Sequence, residues 1–215
     1  MNQMSQTDRM DRCLVNTEYE DLKWSGPFKY NNLVRLRTPT DGSCFFHSIA
    51  KSYFKPYIMN TLNITRRDFI KQLRKDLAVK LGSKVDPRDP DSPLYYDLLS
   101  RGNLRDFSET LPQYSLINIQ NELDSDEPVD NVYNEFISDQ LDKDIYVLDM
   151  TKHDVYVTGS DDDILYKGRP SIVILYLPGH YELVGLNDNG VIRTLFGPDH
   201  DLILAIRDRM DELRS

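Results

Sequence analysis

The segment that most constrains this chain is Ser171 to Leu177, a nearly continuous apolar run of strand length. A strand with no polar face has nothing to offer water, so it belongs at the centre of a sheet covered on both sides. Its apolar stretch, Ile172 to Leu177, is the longest in the sequence and far below the ~20 residues that span a bilayer. The fold must therefore supply cover for both faces of a sheet. A chain of 215 residues, 40% of them hydrophobic, can do so as one domain without disulfide staples. The sequence has no internal repeat and no low-complexity tract.

The pattern on either side is helical first and stranded later. Leu33 to Arg37 alternates apolar and basic residues like a short strand, and the turn chemistry of Thr38 to Ser43 breaks it. Cys44 to Tyr53 reads as a buried helix, with Phe45/Ile49 and Phe46/Ala50 at helical spacing. The clearest helix spans Arg66 to Leu81. Thr65 and Asp68 give it a capping-box-like start, Phe69, Ile70, Leu73, Leu77 and Leu81 form its apolar stripe, and Gly82 stops it. Pro87, Pro90 and Pro93 hold a loop, and Ser92-Pro93 reads as N-cap and first residue of a short helix, Leu94 to Ser100. Residues 104–124 give mixed signals around Pro112. Pro128 to Leu141 is expected to be helical, with Val129, Val132, Phe136 and Ile137 inward. Strands are expected at Asp144 to Asp149, Tyr156 to Thr158, Tyr181 to Leu186 after the Pro178-Gly179 turn, and Val191 to Phe196 after the hairpin signal Asn187 to Gly190. A terminal helix runs from about Asp199 to Leu213. The class is α/β, or α+β, with a small, mostly antiparallel sheet. Residues 1–30 are expected to be an N-terminal extension, helical and packed on a domain spanning 31–215.

Charge and composition exclude several functions. With 26 basic against 35 acidic residues the net charge is −9, which argues against a phosphate backbone as partner and favours a basic one. The polar N-terminus has no apolar core of a signal peptide, so the chain reads as soluble, intracellular and reduced, and the Asn63-Ile64-Thr65 glycosylation sequence as unused. Two cysteines, Cys13 and Cys44, allow at most one bridge. The four histidines, His47, His153, His180 and His200, include no pair at helical spacing, and neither cysteine completes a ligand set, so no metal site is expected. Asp161 to Asp163 could attract a cation, but such a run is ordinarily solvated. The nucleophile elbow, the Walker loop and the dinucleotide fingerprint are all absent.

Two features remain. Cys44 opens an apolar helix after Asp41-Gly42-Ser43, where the helix dipole and free N–H groups favour a thiolate and Gly42 lets the backbone turn so that N–H groups converge. His180 stands in Pro178-Gly179-His180-Tyr181-Glu182, between an apolar strand and a half-buried one. Either feature alone is more often structural than catalytic. A nucleophilic cysteine and its histidine are, however, normally distant in sequence and close in space.

Taken together, Asp41-Gly42-Ser43-Cys44-Phe45-Phe46-His47-Ser48-Ile49 resembles the cysteine box of the ovarian-tumour (OTU) domain cysteine proteases. Gly179-His180-Tyr181-Glu182 resembles their histidine box, and Leu141 to Val147 is similar to the helix-to-strand passage that family uses. The resemblance covers about residues 33–197. It implies a papain-like α/β fold with the sheet packed between helices, and a cysteine-type deubiquitinase that needs no cofactor. It also implies ubiquitin or polyubiquitin as partner, no nucleic acid or membrane, a monomer, and a cytoplasmic location (the host's, for a viral or effector protein). Carried over by position, Cys44 is the nucleophile and His180 the general base. The backbone of Asp41, Gly42, Ser43 and Cys44 forms the oxyanion hole, and Gly179 and Tyr181 flank the substrate. The residue two after the histidine is Glu182, where the family more often has Asp or Asn, so the third catalytic member is Glu182 or Asp41. His47, one turn below Cys44, projects along the helix rather than across a cleft and is expected to be structural. Cys13, His153 and His200 are expected to have no catalytic role. The rival readings are an inactive OTU-like ubiquitin-binding scaffold and a protease for another ubiquitin-like modifier.

Overall fold

The computed structural model describes residues 13–14, 17–99, 108–129, 131–157 and 165–215. Its strands are β1 (Cys13–Leu14), β2 (Glu20–Asp21), β3 (Leu33–Leu36), β4 (Asp144–Asp149), β5 (Asp154–Val155), β6 (Ser171–Leu177), β7 (His180–Asp188) and β8 (Val191–Arg193). Its helices are α1 (Cys44–Tyr53), α2 (Lys55–Met59), α3 (Asn63–Leu81), α4 (Tyr95–Leu98), α5 (Leu116–Leu123), α6 (Asn134–Leu141) and α7 (Asp201–Arg214), with 3₁₀ turns at Pro112–Tyr114 and Asn131–Tyr133. The chain divides into two compact units, 1–40 with 44–59 and 142–215, and 41–43 with 60–141.

The first unit is the sheet with α1, α2 and α7. Its strands run in the order β1-β8-β7-β6-β4-β5, with β3 on β7 and β2 on β3. Among the described residues β4 and β6 make the one parallel pair, and the others are antiparallel. The apolar run of β6 lies at the centre, and Ile172 to Leu175 are wholly buried. At about 1.5–3 kcal/mol per buried aliphatic side chain, this strand alone supplies a large share of the drive to close the sheet. Val173 and Leu175 join Tyr146, Leu148 and Val184 in a cluster with Leu202, Ile203, Ile206 and Met210 of α7. Alternate residues point the other way, and α1 packs against β6 and β7 there. The unit is thus a mostly antiparallel α/β sheet between helices. The β6–β7 turn needs Gly179, whose φ is +74°, and the β7–β8 hairpin takes Asn189 and Gly190 at φ 52° and 88°.

The described residues before 31 form β1, β2 and irregular backbone rather than the expected helix. Sheet edges won over weak local helix signals: β1 pairs with β8, β2 with β3, and Leu22 and Phe28 enter the α7 cluster. The strand at Leu33 is buried on both faces rather than alternating. Of the expected Tyr156–Thr158 strand, Thr158 lies outside the described residues, and the pairing strand is β5 instead. α7 starts at Asp201 because the His200 ring caps it, Nδ1 accepting the Leu202 N–H at 3.1 Å.

The second unit is built on α3. This helix begins at Asn63, before the expected Arg66, because the carbonyl of Leu62 already accepts the Arg66 N–H at 3.1 Å. Its buried residues are Ile70, Arg74, Leu77, Ala78 and Leu81, so a charged residue occupies the middle of the apolar stripe. α4 starts after Leu94, not Ser92. Asp97 accepts the Leu94 N–H at 2.9 Å, while the Ser92 hydroxyl is spent on the Asp86 N–H at 2.9 Å. The expected helix from Pro128 is shorter, a 3₁₀ turn followed by α6, with Phe136 and Ile137 inward.

Candidate active site

Cys44 is the first residue of α1 and is buried. Tyr181 of β7 donates its backbone N–H to Cys44 Sγ at 3.3 Å. The sulfur stands in for a missing strand. The register that pairs Leu36 with Leu183 would place Thr38 opposite Tyr181, but β3 ends at Leu36. Two side chains take over the ladder: the thiol accepts the Tyr181 N–H, and the Thr38 hydroxyl donates to the Tyr181 carbonyl at 2.6 Å. The Tyr181 ring lies edge-on to Phe45, centroids 5.6 Å apart, and 5.5 Å from the Tyr176 ring. The strand that carries His180 is thereby fixed to the helix that carries Cys44.

His180 and Glu182 flank Tyr181. As i and i+2 on one strand they share a face, and His180 Nε2 stands 3.8 Å from Glu182 Oε1. That is within ion-pair reach once the ring is protonated, but longer than a hydrogen bond. Glu182 is buried and its Oε2 has no hydrogen-bond partner. Arg35 Nη1 lies 3.7 Å from that oxygen. Gly179 stands just before, in the turn, with open space where a Cβ would be.

The loop Asp41–Ser43 belongs to the second unit. The Asp41 carboxylate accepts the Ser43 N–H at 3.1 Å through Oδ1 and faces Arg67 Nε at 3.4 Å through Oδ2. Gly42 is required by space rather than by φ, since a Cβ there would meet the Asp126 carbonyl oxygen at 1.8 Å. Arg74 holds the same loop. Nη1 donates to Ser43 Oγ at 2.7 Å and reaches the Gly42 carbonyl at 3.5 Å. Nε donates to the Leu123 carbonyl at 2.9 Å, and Nη2 to the carbonyls of Glu122 and Glu127 at 2.8 and 2.7 Å. Every face of the guanidinium fork is occupied. Burial pulls the Arg74 pKa below its ordinary value, and the negative charges of Asp126, Glu122, Asp41 and Asp124 oppose that pull.

The other histidines are engaged elsewhere. His47 is wholly buried and its Nδ1 shares a 2.7 Å hydrogen bond with Tyr57 Oη. His153 Nδ1 accepts the Ser25 N–H at 3.3 Å, and His200 caps α7. Cys13 lies in β1. Asp161 to Asp163 fall outside the described residues. Among the described residues no three His, Cys, Asp or Glu side chains are grouped to hold a metal ion, and no helix is long and apolar enough to cross a membrane.

No family model and no curated protein matches the sequence. Solved structures do. An ovarian-tumour (OTU) domain solved in complex with ubiquitin aligns over 85% of both chains, with 17% identity and a TM-score of 0.53. The fold is that of an OTU domain. Two viral structures align less closely. The OTU domain protease from Farallon virus covers 78% of this chain and 99% of its own at 16% identity and a TM-score of 0.39. The ubiquitin-bound Hazara virus OTU covers 81% and 98% at 18% identity and a TM-score of 0.38.

On this OTU fold the structure brings Cys44, His180, Tyr181 and Glu182 together at the start of β7, and Asp41, Gly42 and Ser43 into a loop held by Arg74. Sequence reasoning missed two charged residues beside these groups. Arg74 carries a usable signal, a charge inside an otherwise apolar helical stripe. Arg35 carries none, because its importance comes from Glu182, which lies on another strand.

Proposed function

We propose that this protein is a cysteine-type deubiquitinase that hydrolyses isopeptide bonds at the C-terminus of ubiquitin. The observation that carries the reading is the thiol of Cys44, at a helix N-terminus, accepting the amide of Tyr181 between His180 and buried Glu182. The aligned OTU domain in complex with ubiquitin supports the choice of substrate. The Cys44 proton passes to His180, and the thiolate attacks the carbonyl carbon of ubiquitin's terminal glycine. The resulting oxyanion is held by backbone N–H groups. With the Ser43 N–H committed to Asp41, the donors assigned to it narrow to Asp41, Gly42 and Cys44. The tetrahedral intermediate collapses as His180 returns its proton to the leaving lysine amine. Water, deprotonated by His180, then cleaves the thioester and restores the thiol. Glu182 orients the ring and stabilises the imidazolium, and Asp41 shapes the loop.

A ubiquitin probe carrying a C-terminal electrophile tests this directly. The wild type and Cys13→Ala should be captured covalently at Cys44, Cys44→Ala should not be captured, and His180→Ala should lose several orders of magnitude in turnover. Ubiquitin binding without capture would instead support a scaffold. Capture solely by another modifier's probe would support a protease of that modifier.

A further inference from the structure

Glu182 presents a problem that its own strand does not solve. A buried carboxylate oxygen without a hydrogen bond needs a compensating charge nearby. The compensating charge comes from β3, where Arg35 Nη1 stands 3.7 Å from the orphaned Oε2. Arg35 is also drawn the other way. Its Nε donates to Glu20 Oε2 at 3.0 Å, its Nη2 donates to the same oxygen, and Arg37 Nη2 holds Glu20 Oε1 at 2.6 Å. From the surface inward the side chains alternate in sign, Arg37, Glu20, Arg35 and Glu182, and His180 stands beside the last of them.

We propose that Arg35 is a positioning residue for the Cys44–His180 pair: its guanidinium supplies the counter-charge that holds buried Glu182 in place beside His180, and Glu20 sets how strongly that guanidinium is drawn away. This rests on the reading of Cys44 and His180 as nucleophile and base. Among the described residues, the titratable and charged groups that face Glu182 are His180 on β7 and Arg35 on β3, with Glu20 of β2 and Arg37 of β3 behind Arg35. β6 sets Leu175 opposite Glu182 and brings Tyr176, and α1 brings the Cys44 thiol to Tyr181. Without Arg35, Glu182 is no longer held beside His180, the imidazolium loses its counter-charge, and the thiolate forms only at higher pH.

The test needs no substrate. In full-length Cys13→Ala protein, Cys44 is the sole thiol, and its alkylation rate with iodoacetamide is followed against pH. Arg35→Met should raise the midpoint by about 0.5–1 pH unit, a roughly three- to ten-fold loss of reactivity on the acid side. Arg35→Lys should restore most of it. Glu20→Gln, which frees Arg35 toward Glu182, should lower the midpoint. In a Glu182→Gln background Arg35→Met should add no shift. An equal shift in that background, or an unmoved midpoint in folded Arg35→Met, overturns the proposal. If Arg35→Met fails to fold, an unmoved midpoint in Glu20→Gln overturns it. The underlying reading fails separately, when wild-type Cys44 shows an ordinary thiol midpoint and escapes the ubiquitin probe.

Discussion

Arg74 and Glu182 are both buried charges, one in each unit of the chain, and they are satisfied to opposite degrees. Arg74 spends its fork on four backbone carbonyls and the Ser43 hydroxyl. Glu182 has one oxygen with no hydrogen bond, and its nearest charged groups stand at 3.7 and 3.8 Å. A charge whose hydrogen-bonding capacity is used up can only hold its surroundings in place. A charge left with spare capacity can respond when a neighbour changes protonation state. The contrast separates a residue that builds the loop before Cys44 from one proposed to act on His180.

The sharpest way to break this contrast is to empty the Arg74 site. Arg74→Leu strands several buried carbonyls and should cost about 3–5 kcal/mol, lowering Tm by roughly 6–20 °C. Arg74→Lys should recover only part, because three donors replace five. A Tm within about 2 °C of wild type would show that Arg74 is not a scaffold. Glu182→Gln should behave in the opposite way. We expect turnover of a ubiquitin substrate to fall by about 10–10³-fold, with Tm moving by less than about 2 °C. A large Tm loss with little change in turnover would exchange the two roles. Full activity in Glu182→Gln beside a large loss in Asp41→Asn would move the orienting task to Asp41.

The smallest effect tests whether satisfaction, rather than sign of charge, is what matters. Asp154 is an anion, like Glu182, but Arg209 grips both its oxygens, at 2.9 and 2.7 Å. It should therefore act like Arg74, on stability alone. The hydrogen bond from Arg209 holds the Asp154 carboxyl below its ordinary value of 3.8, against the opposing effect of burial. A depressed folded-state pKa stabilises the protein above the unfolded value, and that contribution is lost as pH falls through the folded one. Asp154→Asn should lower Tm by about 2–4 °C at pH 7. The gap should close as the pH drops below about 3.8, with ubiquitin turnover at neutral pH unchanged. A gap that persists at low pH would mean that Asp154 stabilises through packing alone.

How much of this was legible in the sequence depends on how local each cause is. β6, β4 and α1 lie where their apolar patterns put them, because a buried run or a helical stripe is read within ten residues. The pairing of His180 with Glu182 was legible for the same reason, as a spacing of two in a strand. Helix starts were misplaced at Leu62 and Leu94, where backbone acceptors and Asp97, rather than the expected caps, set the first turn. The loss of the Ser43 N–H to Asp41 depends on a side chain folding back by two residues, which composition does not reveal. Arg35 was least legible. In sequence it is a polar residue alternating with apolar ones, and only the pairing of β3 with β7 brings it to Glu182.

The ladder that Cys44 and Thr38 complete around Tyr181 also limits how a gene for this protein can drift. Odd and even positions at the start of β7 do different work, Tyr181 toward α1 and His180 and Glu182 toward the charge row. Many substitutions in β7 leave that division standing. A single inserted or deleted codon between His180 and Leu183 does not, because it turns every later side chain to the opposite face. The length of this stretch should stay fixed even where the letters around His180 and Glu182 change.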